Sequence, residues 1–170
     1  GIMRLRNFHR ALCGLLFCVP LTAASAQTIW YVNDAASGAN NGTSWTEAYN
    51  DLHSALTAAQ PGDQIWVAAG RYAGNFTLAL GVELYGGFAG TETNLTQRNW
   101  KTNTTTLDGN QTGSVVTAPA GANEVTRIDG FTITNGYADV GGGLYLAHSS
   151  PTITNNTIRG NNAYSGGGGL

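Results

Sequence analysis

Short apolar segments that end in glycine recur along the second half of this chain, at a spacing of slightly more than 20 residues. The segments LYG, LDG and IDG occupy residues 84–86, 107–109 and 128–130, so their glycines are 23 and 21 residues apart. A loosely kept period of this length indicates a repeat protein, in which each unit buries its inward side chains only by stacking on the next unit. The chain is therefore expected to fold as a stack of similar units.

Two four-residue motifs repeat nearer the end of the chain. TITN and GGGL each occur twice, at residues 132–135 and 152–155 and at residues 141–144 and 167–170. The copies are 20 and 26 residues apart, respectively. The second GGGL predicts that a new unit begins at Gly166 or Gly167. Because no capping element follows it, we expect the chain to be the N-terminal part of a longer protein.

The composition of each repeat selects the architecture. Two or three short β-branched runs, each closed by glycine or asparagine, are typical of strands joined at tight corners. Leucine-rich repeats have a similar length, but their regular leucine spacing is missing, so the sequence predicts an all-β parallel β-helix, or solenoid. Strands stacked about 4.8 Å apart would align inward aliphatic side chains in columns and place asparagine amides at the corners. The corner candidates are Asn135, Asn155, Asn156, Asn161 and Asn162.

One amphipathic helix is predicted ahead of the repeats, over residues 45–60. Its apolar side chains recur at intervals of three and four residues, with Ser44 or Thr46 as the N-cap and the Pro-Gly pair at 61–62 as the stop. These apolar positions are Ala48, Leu52, Ala55, Leu56 and Ala59. Short apolar runs on either side of the helix predict a strand before it and a strand after it.

The start of the chain has the pattern of a signal peptide. A basic stretch precedes an apolar run at residues 11–23 that is too short to span a bilayer, and the small residues ASA follow at 24–26. We therefore expect secretion, with Gln27 as the new N-terminus and no transmembrane segment in the mature chain. Both cysteines, Cys13 and Cys18, lie in the leader, so disulfides would not stabilise the mature protein.

These features divide the chain into three parts. Residues 1–26 form the signal peptide, residues 27–64 the N-terminal strand, loop and capping helix, and residues 65–170 the β-helix coils. Without the leader, five basic residues remain against ten acidic ones, which gives a formal charge of −5. No basic stripe is left to bind nucleic acid or anionic lipid, so neither is an expected partner.

Three stretches carry a resemblance to known proteins. They are YVNDAASGANNGTSWTEAYNDLHSALTAAQPGDQIWVAAGRY, GVELYGGFAGTETNLTQRNW and TITNNTIRGNNAYSGGGGL, at residues 31–72, 81–100 and 152–170. They resemble the start of secreted bacterial right-handed parallel β-helix proteins of the pectin-lyase-like superfamily, and the glycine-rich coils are also similar to polymorphic outer-membrane proteins. The resemblance implies a right-handed β-helix whose open end is covered by the amphipathic helix. The FxxN motif of the outer-membrane proteins is not matched, because FTITN at 131–135 has one residue too many.

Asp108 and Asp129 occupy the same place in the LDG and IDG segments. If the two segments stack in register, the carboxylates lie about 5 Å apart, a spacing that raises one pKa or recruits a cation. A calcium-assisted lyase site would have this arrangement, with Arg127 as a candidate base and calcium as the one candidate cofactor. The sequence favours the alternative interpretation, in which Asp-Gly makes a corner and the carboxylate accepts hydrogen bonds from backbone amides.

Aromatic side chains supply a second hypothesis, because their ring faces stack on sugars. Tyr137, Tyr145 and Tyr164 would form a column that binds an extended glycan if all three face outward from one sheet. The tryptophans Trp30, Trp45 and Trp66 are instead expected to fill the end of the stack. The histidines His53 and His148 have no visible partner and are expected at the surface, and no spacing suggests a transition-metal site.

The function that these observations favour is a secreted or cell-surface β-helix with an extended binding or structural surface. It would act as an adhesin-like or carbohydrate-binding protein, with a polysaccharide or a cell-surface ligand as partner. The alternative is a polysaccharide lyase or glycoside hydrolase, which needs several acidic and basic groups converging in a groove. Only Asp108, Asp129 and Arg127 are candidates for that role, and the charge of the mature chain opposes an anionic substrate.

Overall fold

In the computed structural model, which describes residues 26–170, short strands dominate and there are few helices. One α-helix, α1 (Leu52–Ala58), and one short 3₁₀ helix, Leu95–Gln97, interrupt the strands. The strands are β1 (Ile29–Val32), β2 (Gln64–Ala68), β3 (Gly70–Ala73), β4 (Phe76–Thr77), β5 (Glu83–Phe88), β6 (Thr105–Asp108), β7 (Val116–Ala118), β8 (Arg127–Asp129), β9 (Phe131–Thr134), β10 (Tyr137–Val140), β11 (Leu144–Leu146), β12 (Thr152–Thr154), β13 (Thr157–Ile158) and β14 (Asn162–Gly166).

The strands form sheets that the chain visits in turn. Sheet A has the order β1-β2-β5-β8-β12, sheet B β13-β9-β6-β3, sheet C β11-β7-β4, and sheet D pairs β10 with β14. Each passage through sheets A and B, and then through C, D or both, is called a coil below, and each coil pairs with the coil before it. Every strand pair among residues 26–170 is parallel, which confirms an all-β fold built from parallel sheets.

Aligned apolar side chains fill the space between the sheets. In sheet A the column is Ile65, Leu84, Ile128 and Ile153; in sheet B it is Tyr72, Leu107, Ile133 and Ile158; and in sheet C it is Phe76, Val116 and Leu144. These residues all belong to or pack against one core cluster. Because alternate side chains of a strand point to opposite faces, a parallel register places each inward residue over its counterpart. The predicted aliphatic columns are confirmed.

The register shows that two of the sequence equivalences are wrong. Leu107 of LDG lies in sheet B over Ile133, whereas the LYG and IDG segments lie in sheet A. The first TITN forms β9 in sheet B and the second forms β12 in sheet A, so Ile153 pairs with Ile128. Each coil contains two similar strands, and composition alone does not distinguish them. The two GGGL phrases do stack, because the amides of Gly142 and Leu144 donate to the carbonyls of Gly167 and Gly169.

The helix α1 is half as long as the sequence predicts. Tyr49 pairs with β1 through its amide to the Tyr31 carbonyl (2.9 Å) and its carbonyl to the Asn33 amide (2.8 Å), which keeps residues 45–50 out of a helix. Asp51 replaces Ser44 and Thr46 as the N-cap, since its carboxylate accepts from the Ser54 amide. From there α1 buries its apolar face against β1, β2 and β4, over the first coil.

Trp45 and Trp66 do not fill the end of the stack. Trp66 points outward from sheet A, because its neighbours Ile65 and Val67 point inward, and it forms an outer cluster with Tyr85 and Phe88. Trp45 packs against this outer cluster. Trp30 is the exception, because it packs against the main core and donates its indole N–H to Asp63 at 3.1 Å.

Asparagines hold four of the five predicted corners, whereas Asn162 begins β14, and their side chains bond to backbone groups or to aspartates rather than to each other. Asn135 and Asn155 adopt left-handed backbone conformations, with φ of 59° and 55°. Asn156 accepts from the Phe131 amide and donates to the Ile128 carbonyl, both at 2.9 Å. Asn161 repeats this arrangement, and both amides therefore satisfy backbone groups of the preceding coil.

Replacing Asn156 by alanine is expected to lower the free energy of unfolding by about 1 to 3 kcal/mol, because the Phe131 amide and the Ile128 carbonyl lose their partner. Urea unfolding followed by circular dichroism measures this change. Asn162→Ala, at an exposed position of β14, is the matched control and should have little effect. Equal stabilities of the two variants would contradict the role given to the Asn156 amide.

Candidate functional site

Asp108 lies at the end of β6, at a corner where three coils meet. Its carboxylate oxygen Oδ2 accepts from Arg71 Nε at 2.8 Å and from Asn135 Nδ2 at 2.9 Å, and Oδ1 accepts from the Asn110 amide at 2.9 Å. Arg71 belongs to β3 in the preceding coil, and Asn135 follows β9 in the next one. The side chain of Asp108 is buried, with 6% of its surface exposed. The carboxylate therefore joins successive coils.

Asp129 has an equivalent set of partners at the end of β8. Its Oδ1 accepts from Arg98 Nη2 at 2.7 Å and from Asn155 Nδ2 at 3.0 Å, while Arg127 Nη1 lies 3.4 Å from Oδ2. The Arg98 guanidinium is buried between the rings of Tyr85 and Trp100, 5.0 and 4.7 Å from their centroids. Each aspartate thus binds an asparagine of left-handed backbone conformation from the next coil, together with one arginine at Asp108 and two at Asp129.

The expectation that Asp108 and Asp129 stack about 5 Å apart is wrong. Asp108 pairs with Ala73 and Thr134 in sheet B, whereas Asp129 pairs with Tyr85 and Thr154 in sheet A. Their similar tripeptides end strands of two different sheets, in successive coils. Within residues 26–170 no group of three or more histidine, cysteine or acidic side chains is arranged to hold a metal ion. Calcium binding stays a prediction.

The geometry favours the corner interpretation of both aspartates over the catalytic one. Burial alone would raise the pKa of Asp108, but hydrogen bonds from Asn110, Arg71 and Asn135 outweigh burial and lower it. Both carboxylates are buried in ion pairs and do not present a free oxygen to a substrate. Arg127 lies 3.4 Å from Glu83 as well as from Asp129, so it is an ion-paired cation. The catalytic roles of Asp108, Asp129 and Arg127 stay predictions.

Two of the three tyrosines lie together. The rings of Tyr137 in β10 and Tyr164 in β14 are 4.7 Å apart, at 62° to each other, and 38% and 67% of their surface is exposed. Tyr145 is also exposed, but it lies in sheet C, where it pairs with Thr117. The predicted column of three is therefore wrong in its third member. Tyr137 and Tyr164 are called the tyrosine pair below.

A cavity of about 110 Å³ lies beside β3 and was not identified from the sequence. It is lined by Asp34, by residues 50–53, and by Arg71, Tyr72, Ala73 and Phe76. This is called the β3 cavity below. Its residues come from three separate segments, so no motif with a fixed spacing indicates it. His53 is exposed, as the sequence predicts, but it does have partners, because its Nε2 contacts the Asn75 carbonyl at 3.0 Å and its ring packs on Phe76, with the ring centroids 4.6 Å apart.

The fold and these sites define a class of all-β proteins with stacked parallel coils, buried ion pairs at the corners and an exposed tyrosine pair. A family model described as "Protein of unknown function (DUF1565)" matches residues 34–166, and the chain belongs to this family. The match includes α1 and extends into the last coil. The comparison with curated proteins found no match, and the comparison with solved structures also found none. Across residues 26–170, no helix has the length and hydrophobicity needed to cross a membrane.

Asp108→Asn is expected to lower the free energy of unfolding by about 1 to 3 kcal/mol at neutral pH, because it removes the ion pair with Arg71. Since the pKa of Asp108 is lowered in the folded protein, its contribution is present above the unfolded value of about 3.9 and is lost as the pH falls through the folded value. The stability difference between the natural protein and the variant should therefore shrink in acid.

Urea unfolding at neutral pH and at about pH 3 tests this dependence. Glu124→Gln, which neutralises an exposed carboxylate, is the control and should change stability little at either pH. A difference between Asp108→Asn and the natural protein that stays constant from neutral to acid pH would contradict the assignment.

Proposed function

We propose that this protein is a right-handed parallel β-helix, secreted or held at the cell surface, whose outward faces bind an extended polysaccharide. The exposed tyrosine pair carries the proposal, because two aromatic rings from successive coils face solvent side by side. The order in which the chain visits its sheets supports a β-helix. The hand follows from a general rule, since crossovers between parallel strands of one sheet are right-handed in nearly all proteins.

The position of the tyrosine pair suits a long chain of sugars better than a single sugar. Tyr137 and Tyr164 belong to neighbouring strands of sheet D, and stacked strands advance by about 4.8 Å. A glycan that runs along the stacking direction would contact both rings in turn. Tyrosine suits this contact because its ring offers an apolar face to the sugar and its hydroxyl can bond a sugar hydroxyl.

Charge favours a neutral polysaccharide. The chain carries a formal charge of −2, and Asp139, between the two tyrosines in sequence, lies exposed on the same strand as Tyr137. An anionic polymer would be repelled at this surface unless cations bridged it. A neutral glycan has no such cost. The ligand class proposed here is therefore an uncharged, extended polysaccharide.

Binding without cleavage is the better-supported activity. Glycoside hydrolysis uses two carboxyl groups that face the scissile bond, about 5 to 9.5 Å apart. Asp108 and Asp129 are buried in ion pairs at corners of two different sheets, and neither aspartate belongs to sheet D. The lyase or hydrolase alternative would be supported by release of new chain ends from a polysaccharide during incubation with the protein.

The double variant Tyr137→Ala/Tyr164→Ala is expected to weaken polysaccharide binding by about 30-fold. The reason is that the packing of a sugar on an aromatic ring contributes roughly 1 kcal/mol, and the variant removes two rings. Co-sedimentation with insoluble neutral polysaccharides such as cellulose, xylan and chitin measures this loss. Phenylalanine at both positions keeps the ring faces and should retain most of the binding.

Tyr145→Ala is the matched control, because Tyr145 is 39% exposed, close to the 38% of Tyr137, but lies in sheet C. It should bind like the natural protein. The proposal is overturned if no neutral polysaccharide is retained, or if the double variant binds as well as Tyr145→Ala does.

Export is part of the proposal and depends on the predicted leader, of which residues 1–25 lie outside the described residues. The pattern of a basic start, an apolar run and ASA at 24–26 supports cleavage after Ala26. Expression of the full chain in a bacterial host should place the protein outside the cytoplasm, and N-terminal sequencing should show Gln27 first. An uncleaved cytoplasmic product would contradict export.

A further inference from the structure

The β3 cavity shares no residue with the tyrosine pair or with the Asp129 network, and no role has been assigned to it. It lies where the N-terminal loop and the start of α1 cover β3. Its rim is polar and exposed, with Asp34, Asn50, Asp51 and His53 all in contact with solvent, whereas Tyr72 and Phe76 form a buried apolar floor. A polar rim above an aromatic floor is the general form of a small-molecule site.

Two glycines at the ends of β3 allow the rim to approach closely. A Cβ atom at position 70 would lie 3.0 Å from Asp34 Oδ1, and one at position 74 would lie 2.9 Å from His53 Cε1. Gly74 also has a φ of +141°, a conformation that other residues rarely adopt. The two ends of β3 therefore carry no side chain at the positions that Asp34 and His53 approach.

The hydrogen bonds around the cavity leave acceptors free on Asp34, Asn50 and His53, while Arg71 uses two of its donors on Asp108 and Asn110. Both oxygens of Asp51 are used by Ser54, at 2.9 Å from its amide and 2.6 Å from its hydroxyl. His53 Nε2 contacts a carbonyl oxygen, so it carries the hydrogen, and Nδ1 keeps a lone pair. The carboxylate of Asp34 accepts no hydrogen bond from any side chain or amide of residues 26–170. Free acceptors call for a ligand that is rich in donors.

The charge of the cavity is negative. Asp34 and Asp51 are acidic, while the one cation of the lining, Arg71, is already bound to Asp108 and Asn110. The negative charge of Asp34 also raises the pKa of Tyr72, after the larger effect of burial. A positively charged group that enters the cavity would therefore be stabilised by Asp34.

We propose that the β3 cavity binds a single amino-sugar unit, whose ammonium group pairs with Asp34 and whose hydroxyls donate to His53 Nδ1 and the Asn50 side-chain oxygen. The volume of about 110 Å³ accommodates part of one sugar ring, and the exposed rim leaves the rest in solvent. The ligand is a cationic monosaccharide unit, so this site is distinct from the surface proposed for neutral polysaccharide and does not depend on it.

Titration of the full ¹⁵N-labelled chain with glucosamine tests the proposal, with glucose and N-acetylglucosamine as uncharged probes. Saturable shifts are expected at the backbone amides of Asp34, His53, Gly70 and Gly74. Glucosamine should bind about tenfold more tightly than either uncharged sugar, because only its ammonium group pairs with a carboxylate.

Asp34→Asn should weaken glucosamine binding by about tenfold, since the ion pair is lost while the side-chain shape is kept. Asp139→Asn removes a charge from an exposed position in β10 and is the matched control, with unchanged affinity expected. Gly70→Ala provides a second variant, because the added methyl group displaces the Asp34 carboxylate and should also weaken binding.

The proposal is overturned if glucosamine causes no saturable shift at the cavity, if glucose binds equally well, or if Asp34→Asn binds glucosamine like the natural protein. The variant without the tyrosine pair should still bind glucosamine, and Asp34→Asn should still bind polysaccharide. Failure of either site is therefore distinguishable from failure of the other.

Discussion

Parallel pairing between successive coils is the interaction on which the rest of the structure depends. It satisfies the backbone groups of each strand and, through the same register, stacks inward residues such as Leu84, Ile128 and Ile153. Burial of these columns provides the main stabilisation, because the mature chain would have no disulfide and α1 is only 7 residues long. Loss of register at one strand would misalign inward side chains and corner partners together.

Side-chain contacts at the corners explain how the coils are held together with few charged residues. Asp108 and Asp129 are each neutralised by an arginine and bonded by a left-handed asparagine of the next coil. The remaining corner groups are satisfied by neutral amides, such as those of Asn156 and Asn161. Ion pairs of these buried aspartates join successive coils, but they also use the acidic groups that catalysis would need.

The sequence identified the features that depend on local pattern and missed those that depend on register. Alternating apolar positions and glycine corners were enough to predict parallel coils, and the stacking of GGGL on GGGL followed from identity of sequence. The equivalence of LDG and IDG failed because the sheet A and sheet B strands of a coil have the same pattern, and LDG lies in sheet B whereas IDG lies in sheet A. The helix was predicted too long because the spacing of apolar residues does not reveal that the backbone of Tyr49 pairs with β1.

The two proposed binding sites, the tyrosine pair and the β3 cavity, also differ in how far the sequence could predict them. The tyrosine pair arises from the repeat itself, since neighbouring coils place Tyr137 and Tyr164 side by side, and a pattern of outward aromatics could suggest it. The β3 cavity arises where the repeat is interrupted, because the N-terminal loop and α1 lie over a strand bounded by Gly70 and Gly74. A regular stack offers repeated, shallow faces that suit a long polymer. A concave site for one small ligand requires an irregular segment, and the segment preceding the coils supplies it.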